Sequence, residues 1–272
     1  MEIRQAINTG INKNISRKVL ITLIMLFSSL CHASPDELPV EFQATYSLET
    51  YGIIAAKATY SLKHKSNGLE FTQFSEPVGF AALFKKDTIQ ETSHLSLQNG
   101  QLLLNDYTYI QKGDDKDRDV NLKIDWIVSE KKLQGQIRGT ASGDTVKLKT
   151  NKPVWDTLSF QMALMKNTKE KTPDWDATIL VKGQLRSYLF VTHGTEEITV
   201  GGNTLKTIKV ERKGDNDNKP IFFWIAPNLS NLPVKIEKWK NGKASITMLL
   251  DAATFPADKN LQFKTIETFN DL

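Results

Sequence analysis

Apolar and polar side chains alternate with a period of two residues along most of this chain. In the first such run, Phe42, Ala44 and Tyr46 are separated by polar residues, and Ala58 and Tyr60 repeat the pattern. Successive side chains of a β-strand point to opposite faces, so the alternation predicts strands with one buried and one solvated face. With the shorter runs included, we expect about a dozen strands.

Short polar turns join these runs, and three of them carry the dipeptide Asn-Gly, at 67–68, 99–100 and 241–242. Both residues tolerate positive φ, which a tight two-residue hairpin needs. A series of hairpins leaves sheet edges that must be protected, and curling or closing the sheet does this. The sequence therefore predicts a mostly β protein, with a single large curved antiparallel sheet or barrel. We expect one domain over 34–272, with 255–272 as a loose tail.

One segment departs from the alternation and predicts a single helix over Thr157–Asn167. Asp156 is a good N-cap, and Leu158, Met162 and Met165 follow at positions i, i+4 and i+7. This spacing places the three side chains on one face of a helix. We expect that face to pack on the sheet, with the two methionines filling gaps in the core.

The first residues of the chain have the order of a secretory signal peptide. Arg17 and Lys18 precede the apolar run Val19–Leu30, and the small residue Ala33 ends the segment. This order predicts cleavage after Ala33, and the run is shorter than the ~20 residues of a transmembrane helix. We therefore expect 1–33 to be removed and a periplasmic product without a transmembrane anchor. A retained N-terminal anchor is the alternative.

Removing the leader changes the composition. The whole chain has 35 Lys and Arg against 31 Asp and Glu, a net charge of +4. The leader holds four of the basic residues and one of the acidic ones, which leaves a net charge of +1. A near-neutral product does not favour a nucleic-acid partner. The single cysteine, Cys31, is also in the leader, so the product has neither disulfides nor cysteine chemistry.

No motif in the chain identifies a reaction, so we name no catalytic residue, metal site or cofactor. The histidines outside the leader lack metal-ligand spacing, and there is no nucleophile elbow or dinucleotide fingerprint. Carboxylates adjoin tryptophans at Asp125, Asp156 and Asp176. An adjacent ring can raise a carboxyl pKa, so a glycan hydrolase remains an alternative, although structural roles explain these residues better.

An apolar insertion between residues 77 and 84 carries a proline and a glycine and does not alternate. Such an insertion is either a plug packed into the core or a lid over a cavity. As a lid it would contact an apolar ligand and present lysines to an anionic head group. The residues of this candidate site are Phe80, Leu83, Phe84, Lys85 and Lys86.

Two tryptophans on predicted strands, Trp126 and Trp224, complete the candidate ligand-binding residues. We expect a binding or carrier module that presents an apolar concave surface to a lipid-like molecule. Such a pocket needs few polar contacts, because burying each methylene contributes about 0.8 kcal/mol. The competing hypothesis is an interaction or scaffold protein of the cell envelope, with a filled interior and a protein partner on an exposed strand edge.

Short motifs spread over the chain resemble those of the domain of unknown function 3108 family of exported bacterial proteins. These motifs are Phe223–Pro227, Leu232–Ile236, Phe42-x-Ala44-x-Tyr46, Asp125-Trp126 and Asp156–Ser159. The resemblance implies an envelope protein of Gram-negative-type bacteria with no agreed activity. The final motifs are also similar to those of periplasmic lipoprotein-carrier half-barrels, a likeness of fold that does not fix function. The family's helix usually carries an arginine where Met165 follows Leu164 here, so no role for it is carried over.

Overall fold

The computed structural model describes residues 38–84, 86–113, 118–169, 172–213 and 219–256, and the backbone of 263–265. Within these ranges the chain forms sixteen strands and one α-helix. The strands are β1 (Phe42–Thr50), β2 (Ile53–Lys65), β3 (Gly68–Pro77), β4 (Thr88–Gln98), β5 (Gln101–Lys112), β6 (Val120–Ser129), β7 (Lys132–Ala141), β8 (Asp144–Thr150), β9 (Trp155–Asp156), β10 (Trp175–Val181), β11 (Gln184–Val200), β12 (Asn203–Arg212), β13 (Ile221–Ala226), β14 (Leu232–Lys240), β15 (Lys243–Pro256) and β16 (Phe263–Thr265). The helix α1 is Phe160–Asn167, and single 3₁₀ turns occupy Gly79–Leu83 and Pro227–Leu229.

All the described strands belong to one sheet. The first strand, β1, and the long late strand β15 pair with each other in the middle of that sheet. From β1 the chain steps strand by strand to β8 at one edge, crosses to β9 at the other edge, and steps back to β15, which pairs with β1. The pairing is antiparallel except between β9 and β10. β16 is added beside β15. The sheet is not closed, since β8 and β9 remain its two ends. The predicted mostly β architecture with one helix is confirmed.

Tight turns join most neighbouring strands, as the alternating pattern predicts. Asn99-Gly100 and Asn241-Gly242 have positive φ at both residues, as two-residue hairpins require. The third dipeptide, Asn67-Gly68, is placed differently. The β2–β3 turn consists of Ser66 and Asn67, whereas Gly68 is already the first residue of β3. Its φ of 149° brings the backbone against the carbonyl of Leu95, where a Cβ would not fit.

One face of the sheet, which we call the inner face, is covered by α1. Cross-strand pairs share a face, and the register carries this face through Leu48, Met248, Ile236 and Phe223 to Val210. The predicted stripe Leu158, Met162 and Met165 packs into a large core cluster built mainly on β1 to β8. Phe160 and Leu164 pack into a second cluster on β10 to β13. The inner face is therefore filled by side chains of both halves of the sheet and the helix.

The helix begins three residues later than predicted, at Phe160, because Asp156 organises a turn before it. The Asp156 carboxylate accepts hydrogen bonds from the backbone N–H groups of Leu158 and Ser159, at 2.7 and 2.8 Å. It also accepts one from the Ser159 hydroxyl at 2.7 Å. Asp156 thus binds amides of the turn before the helix, and the prediction that it is the N-cap is wrong, because Ser159 takes that position.

Within the described ranges, no helix combines the length and apolar character that crossing a bilayer requires. The predicted signal peptide lies outside the described residues, as does most of the predicted tail. Cleavage after Ala33 and the domain limits 34–272 therefore stay predictions.

Gly139 tests the packing of β7 against β6. Its φ is 147°, and an added Cβ would lie 1.9 Å from the carbonyl oxygen of Asn121. Replacing Gly139 by Ala should lower the free energy of unfolding by about 2–4 kcal/mol, because the strand must shift and keep a strained φ. Chemical denaturation measures this change.

Gly242→Ala is the matched control, since Gly242 also has positive φ but no atom of the described residues lies within 4 Å of an added Cβ. It should lose only about 1 kcal/mol through backbone strain. Equal losses in the two variants would contradict the close approach of β6 and β7.

Candidate functional site

The predicted lid segment lies on the protein surface. Phe80, Leu83 and Phe84 are 69%, 72% and 74% exposed, in and just after the 3₁₀ turn that follows β3. The Phe80 and Phe84 rings contact each other, with centroids 4.9 Å apart. The plug interpretation is therefore wrong, because these side chains do not enter the core. Lys86 is exposed, and Lys85 lies outside the described residues.

Trp126 and Trp224 lie in different surroundings, away from that turn. Trp126 is half-buried on the inner face of β6, where its indole N–H donates to the Leu104 carbonyl at 2.7 Å and its ring covers Gly135. Trp224 is buried on the opposite face from Phe223.

The surroundings of Trp224 are polar. Its N–H donates to Glu196, and the ammonium groups of Lys209 and Lys235 lie 4.9 and 4.4 Å from its ring centroid. The predicted ligand-binding residues thus do not converge on one pocket.

The three carboxylates considered for hydrolysis do not converge either. Asp125 points outward from β6 and pairs with Arg138 at 2.9 Å. Asp156 is buried and bound by the turn before α1. Asp156 is paired with Leu180 on β10, and Asp176 lies four residues earlier on that strand, about 13 Å away at ~3.3 Å per residue. That separation exceeds the roughly 5–9.5 Å that glycoside hydrolysis needs.

A buried polar cluster, absent from the predicted site, crosses the inner face beside α1. Tyr60, Gln73 and Glu91 form one cross-strand row on β2, β3 and β4. Tyr107 on β5 donates a hydrogen bond to Glu91 Oε2 at 2.5 Å, and Thr157 donates to the same oxygen at 3.1 Å. The sheet and the turn that precedes α1 are joined through these groups.

Burial changes the acidity of this cluster. Burial raises the pKa of Glu91 from 4.5 to about 7. The nearby charge of Asp156 also raises this pKa, whereas the hydrogen bond from Tyr107 lowers it. Burial also raises the pKa of Asp156, and the hydrogen bonds from Ser159 and Leu158 oppose the rise. The pKa of Tyr107 is raised by burial and by Glu91. Two adjacent buried acids therefore favour a neutral Glu91 near neutral pH.

The hydrogen bonds of the cluster hold the turn before α1 against the sheet. Three donors of the turn occupy the Asp156 carboxylate, and two hydroxyl groups bind one oxygen of Glu91. The sequence indicates this polar cluster only through polar residues at positions expected to face the core. Gln73 follows Leu69 and Phe71 on the same face of β3, and Glu91 precedes Leu95 on the same face of β4.

A second charged network lies on the outer face of the same strands. Glu70, His94 and Asp106 form a cross-strand row in which the His94 ring lies 2.6 Å from Asp106 and 3.2 Å from Glu70. Burial lowers the pKa of His94, but the hydrogen bonds and charges of the two carboxylates outweigh it and raise the pKa. The carboxylates bind opposite ring nitrogens, an ion-pair geometry rather than a shared metal position.

A cavity of about 510 Å³ lies at the side of α1. It is bounded by the start of β5, the connection from β8 to β9, the exposed side of the helix, and β10 with β11. Its apolar walls are Leu102, Trp155, Ala163, Trp175 and Ala177.

The cavity also has a charged rim, and one of its walls is a stacked tryptophan. Lys152, Lys166 and Asp176 are exposed residues at its border. Trp175 stacks on Phe190 with ring centroids 4.2 Å apart and planes 7° apart. The buried Trp175 indole nitrogen has no hydrogen-bond partner among the described residues. The cavity therefore combines aromatic walls with a rim of two lysines and one carboxylate, a chemistry suited to an amphiphile.

In the sequence, Trp155 and Trp175 stand out only as neighbours of carboxylates. Their convergence depends on the parallel pairing of β9 with β10, which places Trp155 beside Ile179. Because β9 has only two residues, no periodic pattern in the sequence predicts this strand. The cavity could therefore not be located from the sequence.

Replacing Glu91 by Gln tests the buried cluster. The folded-state pKa lies above the unfolded-state value, so neutral Glu91 stabilises the fold below pH 4.5, and this contribution is lost as the pH rises through about 7. The variant should lose part of this pH dependence and gain about 1–2 kcal/mol over the wild type at about pH 8. Denaturation at several pH values measures this.

His94 acts in the same direction, because its raised pKa also makes stability fall as the pH rises. The Glu91→Gln and His94→Gln variants should each flatten the profile, and the double variant should be flattest. Glu76→Gln, which removes an exposed carboxylate of β3, is the control for charge alone. A Glu91→Gln profile parallel to that of wild type would contradict the buried-acid assignment.

Comparison with known proteins assigns a family. The sequence profile of the family described as "Protein of unknown function (DUF3108)" matches residues 41–251, from the start of β1 into β15. No curated protein and no solved structure matches the chain. Because the match covers most of the sequence and the sheet that the motifs predicted, the chain belongs to the DUF3108 family of proteins of unknown function.

Proposed function

We propose that this protein is an exported binding module that holds an anionic amphiphile in the cavity beside α1. The observation that carries the proposal is the cavity itself, because about 510 Å³ lies within the roughly 300–1,000 Å³ typical of ligand sites. Export is proposed on the N-terminal pattern of a basic flank, an apolar run and a small residue before Ser34.

The location differs from the open concave surface that we expected. Leu158, Met162 and Met165 are at most 4% exposed, so the helix occupies the inner face of the sheet. A ligand on that face would have to displace α1 and its buried turn. The cavity at the exposed side of the helix requires no such rearrangement.

The walls and rim support a ligand with two chemically different ends. Apolar atoms would pack between the rings of Trp155 and Trp175, where burial of apolar surface supplies most of the affinity. A carboxylate or similar anion would lie near Lys152 and Lys166.

Dodecanoate is a suitable probe, with dodecyltrimethylammonium as its cationic counterpart of equal chain length. We expect calorimetric titration to show tighter binding of dodecanoate. Lys152→Gln and Lys166→Gln should each weaken it about fivefold, as loss of one exposed charge contact does. Lys57→Gln, an exposed lysine of β2 at the opposite end of the sheet from the start of β5, should bind like wild type.

A cavity-filling pair tests the location. Thr178 borders the cavity, so Thr178→Trp should fill it and abolish dodecanoate binding. Thr140→Trp, at an exposed position of β7, should leave that binding unchanged. Equal affinity in both variants, or no binding by the wild type, would reject the cavity as a ligand site. Native mass spectrometry of the freshly purified protein should detect an amphiphile that is lost in the Thr178→Trp variant.

Export has a separate test. The chain expressed in a Gram-negative bacterium and recovered from the periplasmic fraction should have Ser34 as its first residue on N-terminal sequencing. A full-length cytoplasmic product would contradict this part of the proposal without affecting the cavity.

A further inference from the structure

Large apolar side chains are exposed together at one end of the sheet. The β1–β2 turn carries Tyr51, 91% exposed, and Ile53, 60% exposed. The 3₁₀ turn after β3 carries Phe80, Leu83 and Phe84, each about 70% exposed. We call these five residues the apolar tip.

Backbone contacts make the apolar tip one surface. The Val78 N–H donates to the Ala55 carbonyl at 3.0 Å, which fixes the 3₁₀ turn against the start of β2. Gly79 then lies beside the Ile54 carbonyl. The rings of Phe80 and Phe84 contact each other instead of entering the core. Contiguous exposed apolar groups of this kind mark an interaction surface.

The first position of the β1–β2 turn is occupied by a large aromatic residue. Its first residue has a φ of 52°, in the left-handed region that favours Asn and Gly. Asn99 and Asn241 occupy the same position in the β4–β5 and β14–β15 turns, and Ser142 and Lys182 occupy it in the β7–β8 and β10–β11 turns, whereas this turn has the aromatic Tyr51. A strained, almost fully exposed tyrosine gives the fold little and places an amphipathic ring at the apex.

Lysines surround the apolar tip. Lys86 is exposed just after the 3₁₀ turn. The β14–β15 hairpin lies beside the β1–β2 turn, because the Thr50 hydroxyl donates a hydrogen bond to the Ser245 carbonyl at 3.1 Å. The exposed Lys240 and Lys243 face each other at the end of this hairpin. None of the three lysines has an ion pair among the described residues. Of the nearby carboxylates, Asp87 accepts a hydrogen bond from Gln111, and Glu76 is exposed on β3 just before the 3₁₀ turn.

We infer that the apolar tip docks on a membrane surface that contains anionic lipids. Aromatic and aliphatic side chains enter the boundary between head groups and acyl chains, and the flanking lysines meet the head groups. Tyr51 suits this boundary because its ring is apolar and its hydroxyl stays hydrated. The charge of the surroundings favours this occupant over an apolar protein groove.

Vesicle sedimentation tests the inference, with phosphatidylcholine vesicles with and without phosphatidylglycerol. The wild type should bind the anionic vesicles, and combined Phe80→Ser, Leu83→Ser and Phe84→Ser should weaken binding at least about tenfold. The matched control changes Leu97, Ile110 and Ile127 to Ser, three exposed apolar residues elsewhere on the sheet. It should bind like wild type.

A charge variant separates the two contributions. Lys240→Gln with Lys243→Gln should weaken binding to the anionic vesicles about fivefold per lysine and leave binding to phosphatidylcholine alone unchanged. The tip variant should still bind dodecanoate, so a failure here is distinguishable from a failure of the cavity proposal. All substituted side chains are exposed, and circular dichroism confirms folding.

Three results would overturn membrane docking. The wild type could fail to sediment with anionic vesicles, or the tip and control variants could bind equally. A concentration-dependent dimer on size-exclusion chromatography that the tip variant loses would assign the surface to a second copy of the chain instead.

Discussion

Burial of the inner face against the segment that crosses from β8 to β10 holds this sheet together. A sheet with one apolar face must pack that face on another element, and here α1 is that element. Leu158 and Met162 enter one core cluster while Phe160 and Leu164 enter the other. One short helix therefore joins the two halves of the sheet, although each half is built from its own hairpins.

The crossing segment also brings polar groups into the interior. Asp156 turns the chain into the helix only if its carboxylate is buried beside the backbone amides. Burial of an acid is unfavourable unless its oxygens are bound, and the turn binds them. Glu91 and Tyr107 lie next to this turn and link it to β4 and β5. A specific polar contact thus fixes where an otherwise non-directional apolar contact is made.

The local structure of the chain was largely predictable, and its long-range pairing was not. Alternation locates the strands because side-chain period directly reports a half-buried sheet, and Asn99 and Asn241 mark turns because they tolerate positive φ. The pairing of β1 with β15, and of β9 with β10, depends on contacts between distant residues that no local pattern encodes. The cavity and the polar cluster are assembled by those pairings, so their residues could be seen in the sequence but not brought together.

The pairing of the first strand with β15 has a consequence for the order of folding. A chain that emerges from its N-terminus can form the hairpins from β1 to β8 early, because their contacts are local. One side of β1 stays unpaired until β15, near the end of the chain, has been synthesised. Only then can the Tyr46 hydroxyl donate its hydrogen bond to the Pro233 carbonyl. During that interval β1 is an unpaired edge able to recruit strands of other molecules. The slowest and most aggregation-prone stage of folding is therefore the joining of the two halves, after each has formed its own hairpins.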